Sequence, residues 1–172
     1  MTGAEQVAEI LAEHGIRHAF GIIGGGNVVL WDAIHKLGKT EIISCHHEQA
    51  AAMAATYYWR TCKRLAICLV TTGAGSANAI TGVVAAHMDS IPLVVISGNE
   101  GSKYIGDKRR VWGVQGYDSA KVVQPITNAA LRIGSIELVE MAIEKAIVSA
   151  TSYRMGAVWV DFPKDLQSAV AQ

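Results

Sequence analysis

The stretch Ile42-Ile43-Ser44-Cys45-His46-His47-Glu48-Gln49-Ala50-Ala51-Ala52-Met53-Ala54-Ala55 decides how the chain is read. Two isoleucines run into polar and ionisable residues, which give way to an alanine-rich run of high helix propensity. That order predicts a buried strand ending at a helix start, with His47 and Glu48 at the junction. Open α/β sheets bind ligands where the carboxyl ends of strands meet helix starts. Glu48 is thereby a carboxylate delivered to the place where such folds do chemistry. Taken alone, the same residue also suits a simple helix cap.

The alternation extends both ways from this stretch. Thr2-Gly3-Ala4-Glu5 has the form of a capping box before an amphipathic helix carrying Val7, Ile10 and Leu11, which His14-Gly15 ends. Strands are expected over 16–22, 41–44, 65–70, 92–97, 126–133 and 157–161, the last stopped by Pro163. Helices are expected over 28–37, 47–59, 77–88 and 135–151, the last capped by Ser135. Thr61-Cys62-Lys63-Arg64 reads as a solvated loop, and the glycine-containing, mixed-charge stretch 99–117 as a long, mobile one. Residues 65–70 are almost continuously apolar, the pattern of a strand buried on both faces of a parallel sheet. The expected fold is α/β: a three-layer doubly wound sheet of about six mainly parallel strands with helices on both faces. All of it falls in a single domain over residues 1–172.

Composition narrows the function. Of 172 residues, 51% are hydrophobic and only 17% charged, so part of the apolar surface is expected to face another subunit. The formal net charge is zero and the basic residues are scattered, Lys108-Arg109-Arg110 apart, which favours neither nucleic acid nor a membrane surface. No apolar run reaches the roughly 18 residues of a spanning helix, and no signal peptide is expected. Cys45, Cys62 and Cys68 lack metal-site spacing and read as small apolar fillers in a reducing, cytoplasmic setting. No metal ligands are assigned.

Two strand-to-helix junctions are glycine-rich: Gly21-Ile22-Ile23-Gly24-Gly25-Gly26 and Thr72-Gly73-Ala74-Gly75. Glycine lets a ligand approach the main chain closely. The first turn does not fit G-x-G-x-x-G, and no Gly-Lys-Ser/Thr phosphate loop exists. These turns therefore read as admitting a flat ring or as plain tight turns.

The residues also resemble a known pattern. Phe20-Gly21-Ile22-Ile23-Gly24-Gly25 is similar to the F-G-x-P-G-G turn of acetolactate synthases and their relatives. Residues 47–55 resemble H-E-x-x-A-x-x-M-A-A; Thr72-Gly73-Ala74-Gly75, with Asn78, Thr81 and Gly82, resembles S-G-P-G-x-x-N-x-x-T-G. Asp89-Ser90-Ile91-Pro92 with Ile96-Ser97-Gly98, Gln115 to Asp118, Pro125-Ile126-Thr127 and Pro163-Lys164-Asp165-Leu166-Gln167 continue the match in order to about residue 167. The family is the thiamine-diphosphate-dependent 2-oxo acid decarboxylases and carboligases, and the matched part is their N-terminal pyrimidine-binding domain. Ile23 and Ala74 stand where the family has prolines, His46 where it often has arginine, and Gly116 where it has an acid.

The resemblance implies a cofactor, thiamine diphosphate, and a role for Glu48: bonding N1′ of the aminopyrimidine, so that the exocyclic nitrogen takes the proton from C2. It implies that Gly24, Gly25 and Ala74 line the pyrimidine. Asn78 is counted with these cofactor-binding residues, holding the turn, or else caps its helix, and Gln115 and His47 would face substrate. The G-D-G motif and paired asparagines that hold Mg2+ and the diphosphate are absent from these residues. A second chain carrying the diphosphate-binding domain and Mg2+ is therefore expected, in a hetero-oligomer built on a dimer of pyrimidine domains. The expected reaction is decarboxylation of a pyruvate-like 2-oxo acid, with transfer of the acyl anion equivalent to a carbonyl acceptor or release of an aldehyde. The alternative is a non-catalytic scaffold or regulatory partner of a complete enzyme.

Overall fold

The computed structural model describes residues 1–105 and 113–171. Helix α1 (Gly3–Glu13) opens on the expected capping box: Thr2 Oγ1 accepts from the Glu5 N–H at 3.2 Å, and the Thr2 N–H donates to Glu5 Oε2 at 2.7 Å. Strand β1 (His18–Gly21) leads to α2 (Val28–Leu37), β2 (Glu41–Ser44) to α3 (Glu48–Cys62), and β3 (Ile67–Val70) to α4 (Ala74–Asn78) and α5 (Ile80–Met88). Then come β4 (Leu93–Asn99), α6 (Ser119–Val123), β5 (Ala129–Arg132), α7 (Val139–Thr151), β6 (Ala157–Pro163) and α8 (Lys164–Ser168).

The six strands form one sheet in the order β2-β1-β3-β4-β6-β5, every pairing parallel. Alternate residues of the central strands feed opposite faces. Ile67, Leu69, Val94, Ile96, Val158 and Val160 pack with α1, α2 and α7 on one face. Cys68, Val70, Val95 and Trp159 pack with α3 and α5 on the other. This is the expected three-layer arrangement, with all strands parallel rather than most; but β2, expected as a buried strand, lies at the sheet's edge with Ile42 half-buried and Ile43 exposed.

Several boundaries differ from expectation, each for a local reason. Helix α3 runs on through Cys62 and stops where Lys63 takes the left-handed conformation at φ 55°, so the predicted loop begins later. The segment expected as one helix over 77–88 is two, broken at Ala79. Strand β6 includes Pro163, which pairs with Asn99 at the sheet's end, where a missing N–H breaks no ladder. Gln124–Ile126 is a 3₁₀ turn around Pro125, so β5 starts only at Ala129. Ser135 does not cap α7; it precedes a 3₁₀ turn over Ile136–Leu138, and its side chain meets the Glu137 carboxyl. Of the cysteines Cys68 is buried, but Cys62 is exposed and fills no core. The middle of the 99–117 stretch, with Lys108-Arg109-Arg110, lies outside the described residues. Among those described, no helix is long and apolar enough to cross a membrane.

Candidate active site

From β1 the chain passes to β2 on one side of the sheet, then returns to place β3 on the other. The crevice outside the carboxyl ends of β1 and β3 is therefore the topological switch point, where open α/β sheets take ligands. Three segments converge there: the turn after β1, the turn after β3, and the start of α3.

Glu48 is the first residue of α3, and its backbone follows His47, an extended N-cap at φ −155°. His47 Nδ1 accepts from the Gln49 N–H at 3.2 Å, so this exposed histidine caps the helix and Glu48 is released from that task. Glu48 is only 9% exposed. Asn78 Nδ2 donates to Glu48 Oε2 at 3.0 Å. That bond ties the end of α4 to the start of α3, replacing the capping expected of Asn78. Glu48 Oε1 lies against Gly75, where a Cβ would stand 3.1 Å from it. The absence of a side chain at 75 keeps this oxygen clear, and among the described residues it accepts no hydrogen bond.

Thr71, just past β3, wedges the two turns together. A Cβ at Gly24 would meet its Oγ1 at 2.6 Å, and one at Gly75 would meet its Cγ2 at 2.7 Å. The Gly26 N–H donates to Thr71 Oγ1 at 3.1 Å. The first turn is held from within by Asn27, which is 1% exposed. Its Oδ1 accepts from the Gly24 N–H at 2.7 Å, and its Nδ2 donates to the Ile22 carbonyl at 3.0 Å. Gly25 is left exposed at the tip, with nothing within 4 Å of where a Cβ would sit.

The second turn needs glycine at 73 for two reasons. Its φ of 70° with ψ of −125° is a conformation other residues avoid, and a Cβ there would stand 2.8 Å from Gln115 Cα. Gln115 thereby packs on this turn, and Thr72 Oγ1 donates to its carbonyl at 3.2 Å. Ala74, the first residue of α4, is exposed. Ser76 pairs with Tyr117 at 2.7 Å; burial pushes the Tyr117 phenol up, while the Ser76 bond opposes that.

Sequence reading passed over a polar network behind the cleft. Asp161, on β6, is fully buried. It accepts from Asn99 Nδ2 at 2.7 and 2.8 Å and from Arg132 Nε at 2.8 Å. Burial pushes the Asp161 carboxyl up, and Arg132 and Asn99 pull against it. Gln167, also fully buried, donates to the Gly26 carbonyl at 2.7 Å and locks the first turn from below. Periodicity does not mark Asn99, Arg132 or Asp161, because each is polar within an apolar strand, and Gln167 was legible only as the end of the matched Pro163–Gln167 segment.

A cleft of about 420 Å³ opens between the two turns and Gln115, rimmed by Glu100 and Lys164. A larger hollow of about 1110 Å³ lies at the opposite end of the sheet, against the starts of β1 and β2. The smaller cleft is the candidate, because it sits at the switch point; of the expected site residues Gly25 and Gln115 line it, while Gly24, His47, Glu48, Ala74 and Asn78 do not. Burial pushes the Cys68 thiol well up, with Cys45 and Glu48 adding to it, so this sulfur is an inert neighbour of the site. Among the described residues, no group of three or more His, Cys, Asp or Glu could hold a metal ion.

Known proteins resemble this chain along nearly its whole length. The family described as thiamine pyrophosphate enzyme, N-terminal TPP binding domain, matches residues 1–125. The acetolactate synthase large subunit of Buchnera aphidicola subsp. Acyrthosiphon pisum is 39% identical over 166 residues, covering 96% of this chain. Those of Haemophilus influenzae and of Escherichia coli, the latter as isozyme 3, are 38% and 36% identical over 165 and 166 residues, again 96% of this chain. The chain spans about 28% of the length of these relatives.

Proposed function

The chain belongs to the thiamine pyrophosphate enzymes, as an N-terminal domain of that family, and on that premise we propose that it supplies the pyrimidine half of a thiamine diphosphate site. Glu48 is the residue that activates the cofactor. The observation that carries this reading is the state of its carboxyl: buried at the switch point, fixed through Oε2 by Asn78, and kept clear at Oε1 by Gly75.

The residues present fit the group. An aminopyrimidine is flat and needs one carboxyl partner at a ring nitrogen. Gly25 leaves main chain open at the tip of the first turn, Gly24 and Gly75 let both turns close on Thr71, and Ala74 adds only a methyl. When bound, thiamine diphosphate supplies a carbon nucleophile that accepts electrons from a departing carboxylate. The chain's own task is narrower. Glu48 holds a proton at the ring nitrogen, Asn78 orients that carboxyl, and the turns exclude water from one face of the ring.

The substrate in this reading is a pyruvate-like 2-oxo acid, and the outcome is an aldehyde or a product with a carbonyl acceptor. The acetolactate synthase names of the relatives favour the second outcome. The diphosphate and Mg2+ are held by a diphosphate-binding domain outside these residues, in an assembly built on paired pyrimidine domains. Exposed Tyr57, Val84 and Met88 on α3 and α5 offer apolar surface for such pairing. The free thiols suit a reducing compartment such as the cytoplasm.

Calorimetric titration of thiamine diphosphate tests the reading. Little binding is expected to the 172 residues alone, and Mg2+-dependent binding once a diphosphate-binding domain is supplied. Tight binding by these residues alone, or none by the pair, contradicts it.

A further inference from the structure

The cleft beside the glycine turns carries one carboxylate and one ammonium among the described residues, Glu100 and Lys164. Their juxtaposition follows from the sheet. Strands β4 and β6 pair in register from Leu93↔Ala157 to Asn99↔Pro163, so the next residues leave the sheet side by side. Lys164 Nζ donates to Glu100 Oε2 at 2.6 Å. The lysine side chain is 47% exposed and the glutamate only 16%, so the carboxylate is sunk beneath an ammonium that faces water.

Glu100 also stands on the firmer support. Its N–H donates to Asn99 Oδ1 at 2.7 Å, and Asn99 is itself fastened to buried Asp161. Lys164 reaches it on a flexible four-carbon stem. The nearby carboxylates are engaged elsewhere: Asp165 accepts from the Ser102 N–H at 2.9 Å and hydroxyl at 2.6 Å, and Asp161 is held by Arg132 and Asn99. Within the described residues, Glu100 alone answers the charge of Lys164.

Resting on the proposed 2-oxo acid chemistry, and taking this cleft beside the glycine turns as the place that receives the substrate, we propose that Glu100 is a specificity-determining residue. By holding Lys164 it cancels the positive charge beside Gly25, Gly26 and Gln115. The cleft then takes 2-oxo acids with one carboxylate and turns away those that bring a second. A second carboxylate meets the charge of Glu100 and finds the ammonium occupied. Displacing Glu100 would leave a largely buried carboxylate without its partner, which is unfavourable. With a neutral side chain at 100, Lys164 is free to bond that carboxylate by a charge-assisted hydrogen bond.

The test titrates the 172-residue chain with pyruvate and with 2-oxoglutarate, following the amide signals of Gly25, Gly26, Thr72 and Gln115 by two-dimensional NMR. Wild type, Glu100→Gln, Lys164→Met and the double variant are compared. Glu100→Gln is expected to bind 2-oxoglutarate about fivefold more tightly than wild type, the upper range for one partly exposed ion pair. Pyruvate affinity stays unchanged, and the gain disappears in the double variant; Lys164→Met alone shows none. Equal 2-oxoglutarate affinity in wild type and Glu100→Gln, or a gain that survives loss of Lys164, overturns the proposal. No cofactor is present in this titration, so a negative result falls on Glu100 and leaves the role of Glu48 to the calorimetry above.

Discussion

Replacing Gly75 by alanine probes the site where its packing is tightest. The new methyl would stand 2.7 Å from Thr71 Cγ2, 3.1 Å from Glu48 Oε1 and 3.7 Å from Glu48 Cδ. The first distance is too short for carbon against carbon, so Thr71, α4 or the Glu48 carboxyl must shift. Overpacking of this kind costs about 1–3 kcal/mol. Alanine in a helix returns about 0.5–1 kcal/mol relative to glycine. The middles of these ranges leave a net loss of about 1 kcal/mol, a fall in Tm of about 2–4 °C for a chain of this size. The carboxyl would move by a few tenths of an ångström at the oxygen proposed to face the cofactor. Weakening one hydrogen bond to a charged or proton-sharing group there lowers cofactor affinity about tenfold. Thermal unfolding by circular dichroism reads the first effect, and thiamine diphosphate titration of the assembled enzyme reads the second. Unchanged Tm together with unchanged cofactor affinity would refute the claim that Gly75 holds space beside Glu48.

Gly25→Ala is the converse case, since nothing lies within 4 Å of its Cβ position; Tm should stay within about 2 °C of wild type, a surface-substitution effect, while cofactor affinity of the assembled enzyme falls. Arg132→Met leaves Asp161 fully buried with Asn99 as its remaining donor, and a loss of about 3 kcal/mol is expected at neutral pH from the uncompensated charge. Burial already pushes the Asp161 carboxyl up, and removing Arg132 pushes it further. A carboxyl raised in the folded state binds its proton more tightly there than when unfolded, so stability is lost as pH rises through its ordinary range and above. The variant should therefore regain stability on acidification from neutrality, seen as a narrowing Tm gap to wild type. Asp118 behaves oppositely: burial works against it, but the Lys121 N–H and Arg132 hold it below the usual carboxylate range. Its contribution is present above about pH 4 and is lost as pH falls through its lowered value. Asp118→Asn should accordingly flatten the acid limb of the stability curve, by under about 1 kcal/mol because the pair is partly exposed.

The fold was legible because its signals are local and repeated. Apolar runs such as Ile67–Val70, glycine turns after β1 and β3, and the alanine-rich start of α3 each point to a parallel α/β unit without reference to the others. Glu48 was legible for the same reason, standing where a strand gives way to a helix. What stayed hidden is non-local. Asp161, Asn99 and Arg132 come from three strands and meet only once the sheet is built. Asn78 looks like a cap from its neighbours in sequence, yet its partner is Glu48, thirty residues away. His47 does the capping instead, a role that its position before Glu48 allows but does not require. The Glu100–Lys164 pair depends on the register of β4 with β6, which no pattern in either strand specifies.

In the proposed role the Glu48 carboxyl governs a proton on the cofactor, and exchange of that proton reports on it directly. Hydrogen–deuterium exchange at C2 of thiamine diphosphate, followed by quenched-flow NMR in the assembled enzyme, compares wild type with Glu48→Gln. The amide keeps the side chain's size but gives up the exchangeable carboxyl proton. The expected result is exchange slowed at least about a hundredfold, the lower range for a general acid–base group, with an unchanged circular dichroism spectrum. Exchange in Glu48→Gln at the wild-type rate would contradict the claim.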